Sequence, residues 1–183
     1  PAWSASGSFR AGYSGSTGGV SGVEPLPAYQ ATALGSSYAY GRAVPDVSIN
    51  ANPSTGLPVF DSVAGLSQWG WFKVGGTSAG APIWSGLVAG ADQARAAMGL
   101  GSLSSTQTLN MLYGLYSSGA TYASTFHDVR SGVNFAGYAT TGYDLVTGLG
   151  SPIAYAIIYA AAHPSNTISN AASTTLLTHS VIS

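Results

Sequence analysis

The middle of the chain carries the octapeptide Gly75-Gly76-Thr77-Ser78-Ala79-Gly80-Ala81-Pro82. A strand-like run ends at Val74, just before it, and apolar residues follow it at helical spacing as far as Ala94. The two glycines permit a turn that a Cβ would obstruct, and Pro82 is tolerated in a first helical turn because no N–H is needed there. A helix N-terminus also offers free N–H groups and a positive dipole end to an oxyanion. The octapeptide therefore indicates either a serine nucleophile at a helix start or a Gly/Ser turn that begins an ordinary helix.

Other stretches of the chain form a pattern with this octapeptide. In chain order they are Gly18-Gly19-Val20-Ser21, Leu26-Pro27-Ala28-Tyr29-Gln30, Gly41-Arg42-Ala43-Val44-Pro45-Asp46-Val47-Ser48, Phe126-His127-Asp128-Val129-Arg130-Ser131-Gly132 and Gly142-Tyr143-Asp144-Leu145-Val146-Thr147-Gly148-Leu149-Gly150-Ser151-Pro152. Together they resemble the C-terminal half of the catalytic domain of the sedolisins, the serine-carboxyl peptidases of subtilisin-like fold. The resemblance runs from about Trp3 to about Ala162.

The resemblance implies a nucleophile and a metal site. Ser78 matches the nucleophile of the family. Two carboxylates match those of its Ca²⁺ site, and three residues fall where the family supplies backbone carbonyls to the ion: the carboxylates are Asp128 and Asp144, and the carbonyls are those of Val129, Thr140 and Gly142. Several hard oxygen ligands in a loose geometry are what Ca²⁺ prefers. Without the resemblance, Asp144 would be interpreted as a turn aspartate that bonds its own backbone.

The resemblance also implies catalytic groups that this chain does not carry. Sedolisins activate the serine with a glutamate, orient that glutamate with an aspartate and place a further aspartate in the oxyanion hole, all from the N-terminal half of the domain. None of the six acidic residues here lies in a matching context: they are Glu24, Asp46, Asp61, Asp92, Asp128 and Asp144. We interpret Glu24 as a solvated loop charge, Asp46 as structural and Asp92 as part of a polar helix face. The chain is thus expected to supply the nucleophile and the metal site but not the base.

The expected fold class is α/β, with a subtilisin-like doubly wound parallel sheet of which this chain supplies only the C-terminal part. Residues 1–162 would form that part of the peptidase domain, and residues 163–183 a Ser/Thr-rich extension that is disordered or adds a strand over 174–178. Apolar strand edges at 44–49 and 71–74 would be open in the isolated chain. Pairing with an N-terminal fragment of the same precursor, or self-assembly through these edges, would cover them.

The pattern of residues also predicts individual elements. Strands are expected over three runs, 43–49, 58–61 and 71–74, with loops and short strands in the first forty residues. The helix after Ser78 should end near Met98 because Gly99 follows. Ser104 and Gln107 have the spacing of a capping box, and Ser151-Pro152 has the pattern of an N-cap and first-turn proline.

The composition of the chain bears on the environment in which the protein works. Charged residues make up 6% of the chain, the formal net charge is −1 and there is no cysteine. A chain with few carboxylates loses few stabilising ion pairs in acid, so the composition favours an acid-tolerant, secreted setting; the alternative is a secreted surface on which small polar residues and glycine simply dominate. The resemblance to the sedolisins implies an acid-acting peptidase with a polypeptide substrate. The charge gives no reason to expect nucleic acid as a partner, and no apolar run is long enough to span a membrane. The alternative is a non-catalytic structural or assembly protein that reuses the scaffold.

Overall fold

A computed structural model describes residues 15–63 and 69–164. Its five helices are α1 (Ala28–Leu34), α2 (Gly80–Ala97), α3 (Ser105–Ser117), α4 (Gly119–Thr125) and α5 (Ala154–Ala162), with short 3-10 helices at Gly35–Tyr38 and Thr77–Ala79. Its strands are β1 (Gly19–Val20), β2 (Ala43–Val44), β3 (Leu57–Asp61), β4 (Gly70–Val74), β5 (Phe126–His127), β6 (Val133–Asn134), β7 (Gly137–Tyr138) and β8 (Ser151–Pro152). Only the first two residues of the expected extension, 163 and 164, are described. The strand expected over 174–178 lies outside the described residues.

The strands of the described residues form four two-stranded antiparallel sheets: β1–β2, β3–β4, β5–β8 and β6–β7. The longest is the β3–β4 hairpin, in which Leu57 lies opposite Val74 and Asp61 opposite Gly70. A parallel pair is not found within 15–63 and 69–164. The strand expected over 43–49 is regular only at Ala43–Val44, because Pro45 has no N–H for a continuing ladder.

The core lies where α2, α3 and α5 meet the segments that follow β5 and precede β8. Its largest fully buried side chains include those of Tyr113, Leu149 and Ile157. Helix α2 packs against α5 so closely that a Cβ added at Gly90 would lie 3.3 Å from the Ile158 Cδ1. The two helices are also joined by a 2.8 Å hydrogen bond from Arg95 Nη1 to the Ala161 carbonyl. This core holds the start of α2, and with it the octapeptide, in a fixed place.

Helix α2 has the expected boundaries, and helix α3 has the expected start. Helix α2 begins at Gly80, keeps Pro82 in its first turn and ends at Ala97, one residue before the predicted end. Helix α3 begins at Ser105 with the predicted capping box, in which Ser104 Oγ accepts from the Gln107 N–H at 3.2 Å and Gln107 Oε1 accepts from the Ser104 N–H at 2.9 Å. Both predictions are confirmed.

Two element predictions are wrong. Residues Ser151–Pro152 form β8 instead of starting a helix, because they pair with β5 and the Ile153 N–H donates to the Thr125 carbonyl at 2.8 Å. Helix α5 begins only at Ala154. The first forty residues also contain a helix, α1, whose apolar side buries Tyr29 and Ala33 partly against the core. At Ser151–Pro152, pairing with β5 overrides the local helix-cap signal. Helix α1 has only seven residues, which is too short to show a clear helical period.

Candidate nucleophile and carboxylate sites

Ser78 is exposed on the 3-10 turn Thr77–Ala79, which joins β4 to α2. The two glycines before it are required by the backbone. Gly76 has a φ of 108°, and its N–H donates to the Ala51 carbonyl at 2.6 Å. A Cβ added at Gly75 would lie 2.3 Å from the Pro53 Cα. The glycines therefore let the chain pass close to the 51–53 segment and leave Ser78 facing outward.

The Ser78 hydroxyl makes no hydrogen bond with another described residue, and its backbone N–H has no acceptor in the described part of the chain. The turn itself is closed by the Ala79 N–H, which donates to the Gly76 carbonyl at 3.1 Å, and by the Gly80 N–H, which donates to the Thr77 carbonyl. The serine is thus positioned by backbone contacts alone. Within 15–63 and 69–164, no carboxylate or imidazole is hydrogen bonded to it.

A cleft of about 1010 Å³ lies beside the nucleophile turn. Residues of the turn, of the start of α2, of the extended segment after β2 and of the Val146–Thr147 loop all line it. The lining includes Thr77, Gly80, Ala81, Trp84, Val47, Ser48, Ile49, Ala51, Val146 and Thr147. Two side-chain atoms in this lining, Ser48 Oγ and Trp84 Nε1, are buried without a hydrogen-bond partner among the described residues. Buried polar groups are normally hydrogen bonded, so these two atoms of the cleft lack the partners that such atoms usually have.

The two predicted metal carboxylates bond to the same short loop. Asp144 is 4% exposed, and its Oδ2 accepts from the Thr140 N–H at 2.8 Å. Asp128 accepts from the Gly142 N–H, at 3.1 Å to Oδ1 and 3.2 Å to Oδ2, and pairs with Arg130 Nε at 2.8 Å. The structure therefore brings Asp128, Thr140, Gly142 and Asp144 together. Val129 follows Asp128 and lines the cleft.

The turn interpretation of Asp144 also agrees with the geometry. Its Oδ1 accepts from the N–H groups of Val146 and Thr147, both at 2.8 Å, which is the pattern of an aspartate that bonds backbone two and three residues on. Among the described residues, no group of three or more His, Cys, Asp and Glu side chains could hold a metal. A cation here would need backbone carbonyls beside the two carboxylates, and Ca²⁺ accepts such mixed oxygen donors. The donor set fits Ca²⁺ in this respect.

A buried polar network that the sequence did not reveal fixes the segment before the cleft. Gln30 is 0% exposed; its Nε2 donates to the Ala43 carbonyl and to Tyr113 Oη, both at 2.8 Å, and its Oε1 accepts from the Ala43 N–H at 2.9 Å. Tyr113 Oη donates to Asp46 Oδ1 at 3.0 Å, and Arg42 forms an ion pair with the same carboxylate. Asp46 is structural, as its sequence context indicated. The only sequence signal for Gln30 was its place in the Leu26–Gln30 stretch.

Burial and charge pairing shift the pKa values of the groups in this network. Burial raises the pKa of Tyr113, and the neighbouring Asp46 carboxylate raises it further. Burial lowers the pKa of Arg42, but the charges of Asp46 and Tyr29 and the hydrogen bonds to both together outweigh that effect, so the pKa stays above its usual value. Glu24 lies at the edge, 3.7 Å from Arg42 Nε with its side chain 66% exposed. The loop-charge interpretation of Glu24 is consistent with this exposure.

Among curated proteins, kumamolisin from Bacillus sp. (strain MN-32) is 37% identical over 158 residues, which is 80% of this chain and 25% of kumamolisin. Sedolisin from Pseudomonas sp. (strain 101) is 34% identical over 139 residues, 73% of this chain and 21% of that protein. Tripeptidyl-peptidase SED1 from Arthroderma otae is 30% identical over 161 residues, 75% of this chain and 21% of that protein. The chain therefore spans a quarter or less of the length of these relatives. No protein-family model matches the chain.

The solved structure of Pseudomonas sedolisin, a serine-carboxyl proteinase complexed with two molecules of pseudo-iodotyrostatin, matches this chain with a TM-score of 0.69 at 29% identity. The match covers 91% of this chain and 41% of the sedolisin chain. The sedolisin, subtilisin-like fold expected from the sequence is thereby confirmed for this α/β fragment. Within the described ranges, none of the helices is both long and apolar enough to cross a membrane.

Proposed function

Because this chain belongs to the sedolisin family, we propose that it carries the nucleophile of a serine-type peptidase, Ser78. The observation that carries the proposal is the exposed position of Ser78 on the glycine-dependent turn before α2, beside a cleft large enough for a polypeptide. Similarity to kumamolisin and to a serine-carboxyl proteinase supports the same reaction class.

The proposed reaction is acyl transfer. Ser78 Oγ attacks the carbonyl carbon of a peptide bond, and its proton passes to a glutamate supplied by an N-terminal companion piece. The tetrahedral intermediate collapses to an ester on Ser78 as the amine takes a proton and leaves, and water then releases the acid. The Ser78 N–H, which has no acceptor among residues 15–63 and 69–164, would stabilise the oxyanion together with a protonated aspartate from the companion. A carboxylate base operates in acid, where histidine would be protonated, so we propose an acid-acting enzyme. The low share of charged residues, 6% of the chain, supports the proposed acid-tolerant, secreted setting.

The Ser78→Ala variant tests the nucleophile. In the protein assembled with its companion piece, we expect peptide hydrolysis to be abolished and the melting temperature to stay unchanged, because an exposed hydroxyl without a hydrogen bond contributes little to stability. Covalent labelling with a peptide aldehyde or a fluorophosphonate should be lost in the same variant. Ser102→Ala, in an exposed loop, is the control and should keep both. Labelling at another serine, or full activity of Ser78→Ala, would contradict the proposal.

We also propose that Asp128 and Asp144 bind Ca²⁺ with the backbone carbonyls of Val129, Thr140 and Gly142 and with water. Support comes from the way both carboxylates bond to the 140–142 loop, while Arg130, with a side chain 66% exposed, can leave Asp128 without disturbing the core. The ion would supply positive charge that joins the two carboxylates and closes the loop between them.

Calcium should therefore raise stability by mass action, since only the folded chain holds the site. At a free Ca²⁺ concentration of 100 times Kd the gain is about 2.7 kcal/mol, and a chelator should lower the melting temperature accordingly. Asp128→Asn should remove this dependence, and Glu24→Gln, at an exposed loop charge, should keep it. Acid should also release the ion by protonating the carboxylates. A melting temperature that Ca²⁺ and chelator leave unmoved in the unchanged protein would exclude the site.

A second candidate function is a non-catalytic structural or assembly role. It is favoured by one observation, the lack of any acid or histidine bonded to Ser78 within 15–63 and 69–164. The companion piece decides between the two: if its sequence lacks the glutamate and the two aspartates, hydrolysis cannot follow the proposed route. Labelling of Ser78 in the assembled protein would instead favour the peptidase.

A further inference from the structure

Tyr122, on helix α4, lies beside the two carboxylates of the proposed Ca²⁺ site. Its ring packs edge-on against Tyr116 of α3, with the ring centroids 4.9 Å apart at an interplanar angle of 83°, and its centroid lies 5.8 Å from that of Phe126. Tyr116 in turn contacts the loop of the site, because its hydroxyl accepts from the Tyr143 N–H at 3.3 Å. The Tyr122 ring is therefore held between α3 and β5, which restricts where its hydroxyl can lie.

The Tyr122 hydroxyl is buried and lies next to Asp128. Burial raises the pKa of Tyr122, and the Asp128 carboxylate raises it further, both by its charge and as a close acceptor. The contact does not reach the geometry of a formed hydrogen bond, however, and Tyr122 Oη has no hydrogen-bond partner among residues 15–63 and 69–164. A buried hydroxyl without a partner is unusual. Packing of the ring alone does not account for it.

The two carboxylates of the site differ in how firmly they are held. Asp144 accepts from three backbone N–H groups and from the Thr147 hydroxyl, which together fix both of its oxygens. Asp128 accepts from the Gly142 N–H, and its other partner among the described residues is Arg130, whose side chain is 66% exposed. Asp128 is therefore the carboxylate whose orientation depends on a residue at the surface.

A cation at these carboxylates would weaken the ion pair with Arg130. The guanidinium group is always charged, so it repels a cation at the same carboxylate, and its exposed side chain can move into solvent. The Tyr122 O–H is a neutral donor, so it can bond Asp128 without repelling the ion. Carboxylates that ligate metals are themselves hydrogen bonded, and these outer partners fix their orientation. Tyr122 is placed to be such a partner.

We propose that Tyr122 is a positioning residue of the Ca²⁺ site, whose hydroxyl donates to the Asp128 carboxylate when the ion is bound and takes the place of Arg130 there. The inference rests on the Ca²⁺ site proposed above. Its support is the buried, unpartnered position of Tyr122 Oη beside Asp128. Binding of the ion would thus exchange an exposed charged donor for a buried neutral one.

The alternative is a purely structural role, in which the Tyr122 ring packs and its hydroxyl has no function. Phenylalanine would then serve equally well at this position. The two roles differ in what the loss of one oxygen atom changes. In the structural role, the affinity for Ca²⁺ does not depend on the hydroxyl. In the positioning role, the affinity falls, while the stability measured without Ca²⁺ does not.

The Tyr122→Phe variant separates the two roles. We would make it in the native gene, isolate the protein from its source under native conditions, remove bound metal with a chelator and titrate Ca²⁺ by calorimetry. The Kd for Ca²⁺ should rise by about 10–100-fold, which is the usual effect of losing an outer partner of a metal ligand. The melting temperature in chelator should not fall, because the hydroxyl has no hydrogen bond to lose there.

Two further variants support this comparison. Tyr138→Phe is the matched control, because Tyr138 lies between the two carboxylates in sequence, on β7, but is 76% exposed. It should leave the Kd and the melting temperature unchanged. Arg130→Gln gives a second test that does not require Tyr122→Phe to fold. This variant should bind Ca²⁺ at least as tightly as the unchanged protein, because it lacks the cation that the ion displaces.

The outcomes distinguish this inference from the proposed site. Equal Kd values for the unchanged protein and Tyr122→Phe would overturn the inference, and so would weaker Ca²⁺ binding by Arg130→Gln. If the unchanged protein binds no Ca²⁺, or if Asp128→Asn binds it equally well, the proposed site itself is wrong. Ca²⁺ binding that depends on Asp128 but not on Tyr122 would refute the inference alone.

Discussion

At the scale of residues, Gln30 does more for the structure than its sequence position suggests. Its amide bonds both backbone groups of Ala43 and the hydroxyl of Tyr113. Gln30→Met would keep the volume but leave the Ala43 N–H and C=O buried and unpaired. We expect the free energy of unfolding to fall by about 2–4 kcal/mol, since each such group costs about 1–3 kcal/mol.

Urea unfolding measures this loss, and Gln93→Met provides the matched control. Gln93 is an exposed residue of α2, so its replacement should change stability by less than about 0.5 kcal/mol. A loss of similar size in both variants would mean that the Gln30 bonds are not the cause.

At the scale of elements, α3 depends on its capping box. Ser104→Ala removes the acceptor of the Gln107 N–H and should destabilise the protein by about 1 kcal/mol. Ser105→Ala, at the next residue, keeps the cap and should change stability by less than about 0.5 kcal/mol. Thermal unfolding of the two variants tests the prediction, which an equal shift in both would contradict.

Some helices and strands could be predicted from the sequence and others could not. Helices α2 and α3 carry their own signals, a glycine turn before one and a capping box before the other, so α2 was predicted with both boundaries and α3 with its start. Ser151-Pro152 carried an equally good helix-start signal but forms β8, because pairing with β5 lies twenty-five residues away in sequence and no local pattern reports it. Short elements such as α1 and α4 have too few turns to show a period.

The candidate sites divide in a similar way. The glycines around Ser78 are needed by local backbone geometry, so their pattern could be identified directly. Asp128 and Asp144 could be placed together only through the family resemblance, and the structure now shows that both bond to the 140–142 loop. The Gln30 network joins residues 83 positions apart in sequence, and such a contact leaves no local signal.

At the scale of the whole molecule, buried tyrosines should limit stability in alkali. Burial raises the pKa of Tyr113 and Tyr143, in both cases with help from the Asp46 charge. A folded-state pKa above the unfolded value near 10 means that this stability is complete below pH 10 and is lost as the pH rises through the folded-state pKa. The free energy of unfolding should fall by about 1.4 kcal/mol per pH unit for each such group.

Urea unfolding at pH 8 and pH 11 measures this slope. Tyr113→Phe should reduce the slope of the free energy of unfolding against pH by the contribution of one tyrosine. Tyr40→Phe, where the side chain is 96% exposed, should leave the slope unchanged. A slope that Tyr113→Phe does not alter would show that this hydroxyl is not protected from ionisation by the fold.

Asp46 and Pro45 lie far in sequence from their hydrogen-bond partners, and this separation has a consequence for synthesis of the chain. The Tyr113 hydroxyl bonds Asp46 across 67 residues, and the Tyr143 hydroxyl donates to the Pro45 carbonyl across 98 residues. At about 5–20 residues per second, a ribosome needs about 5–20 s to deliver Tyr143 after Pro45 has been added. During that interval the segment that carries Pro45 and Asp46 lacks these two hydrogen-bond partners, so its native contacts can form only after most of the described chain has been synthesised.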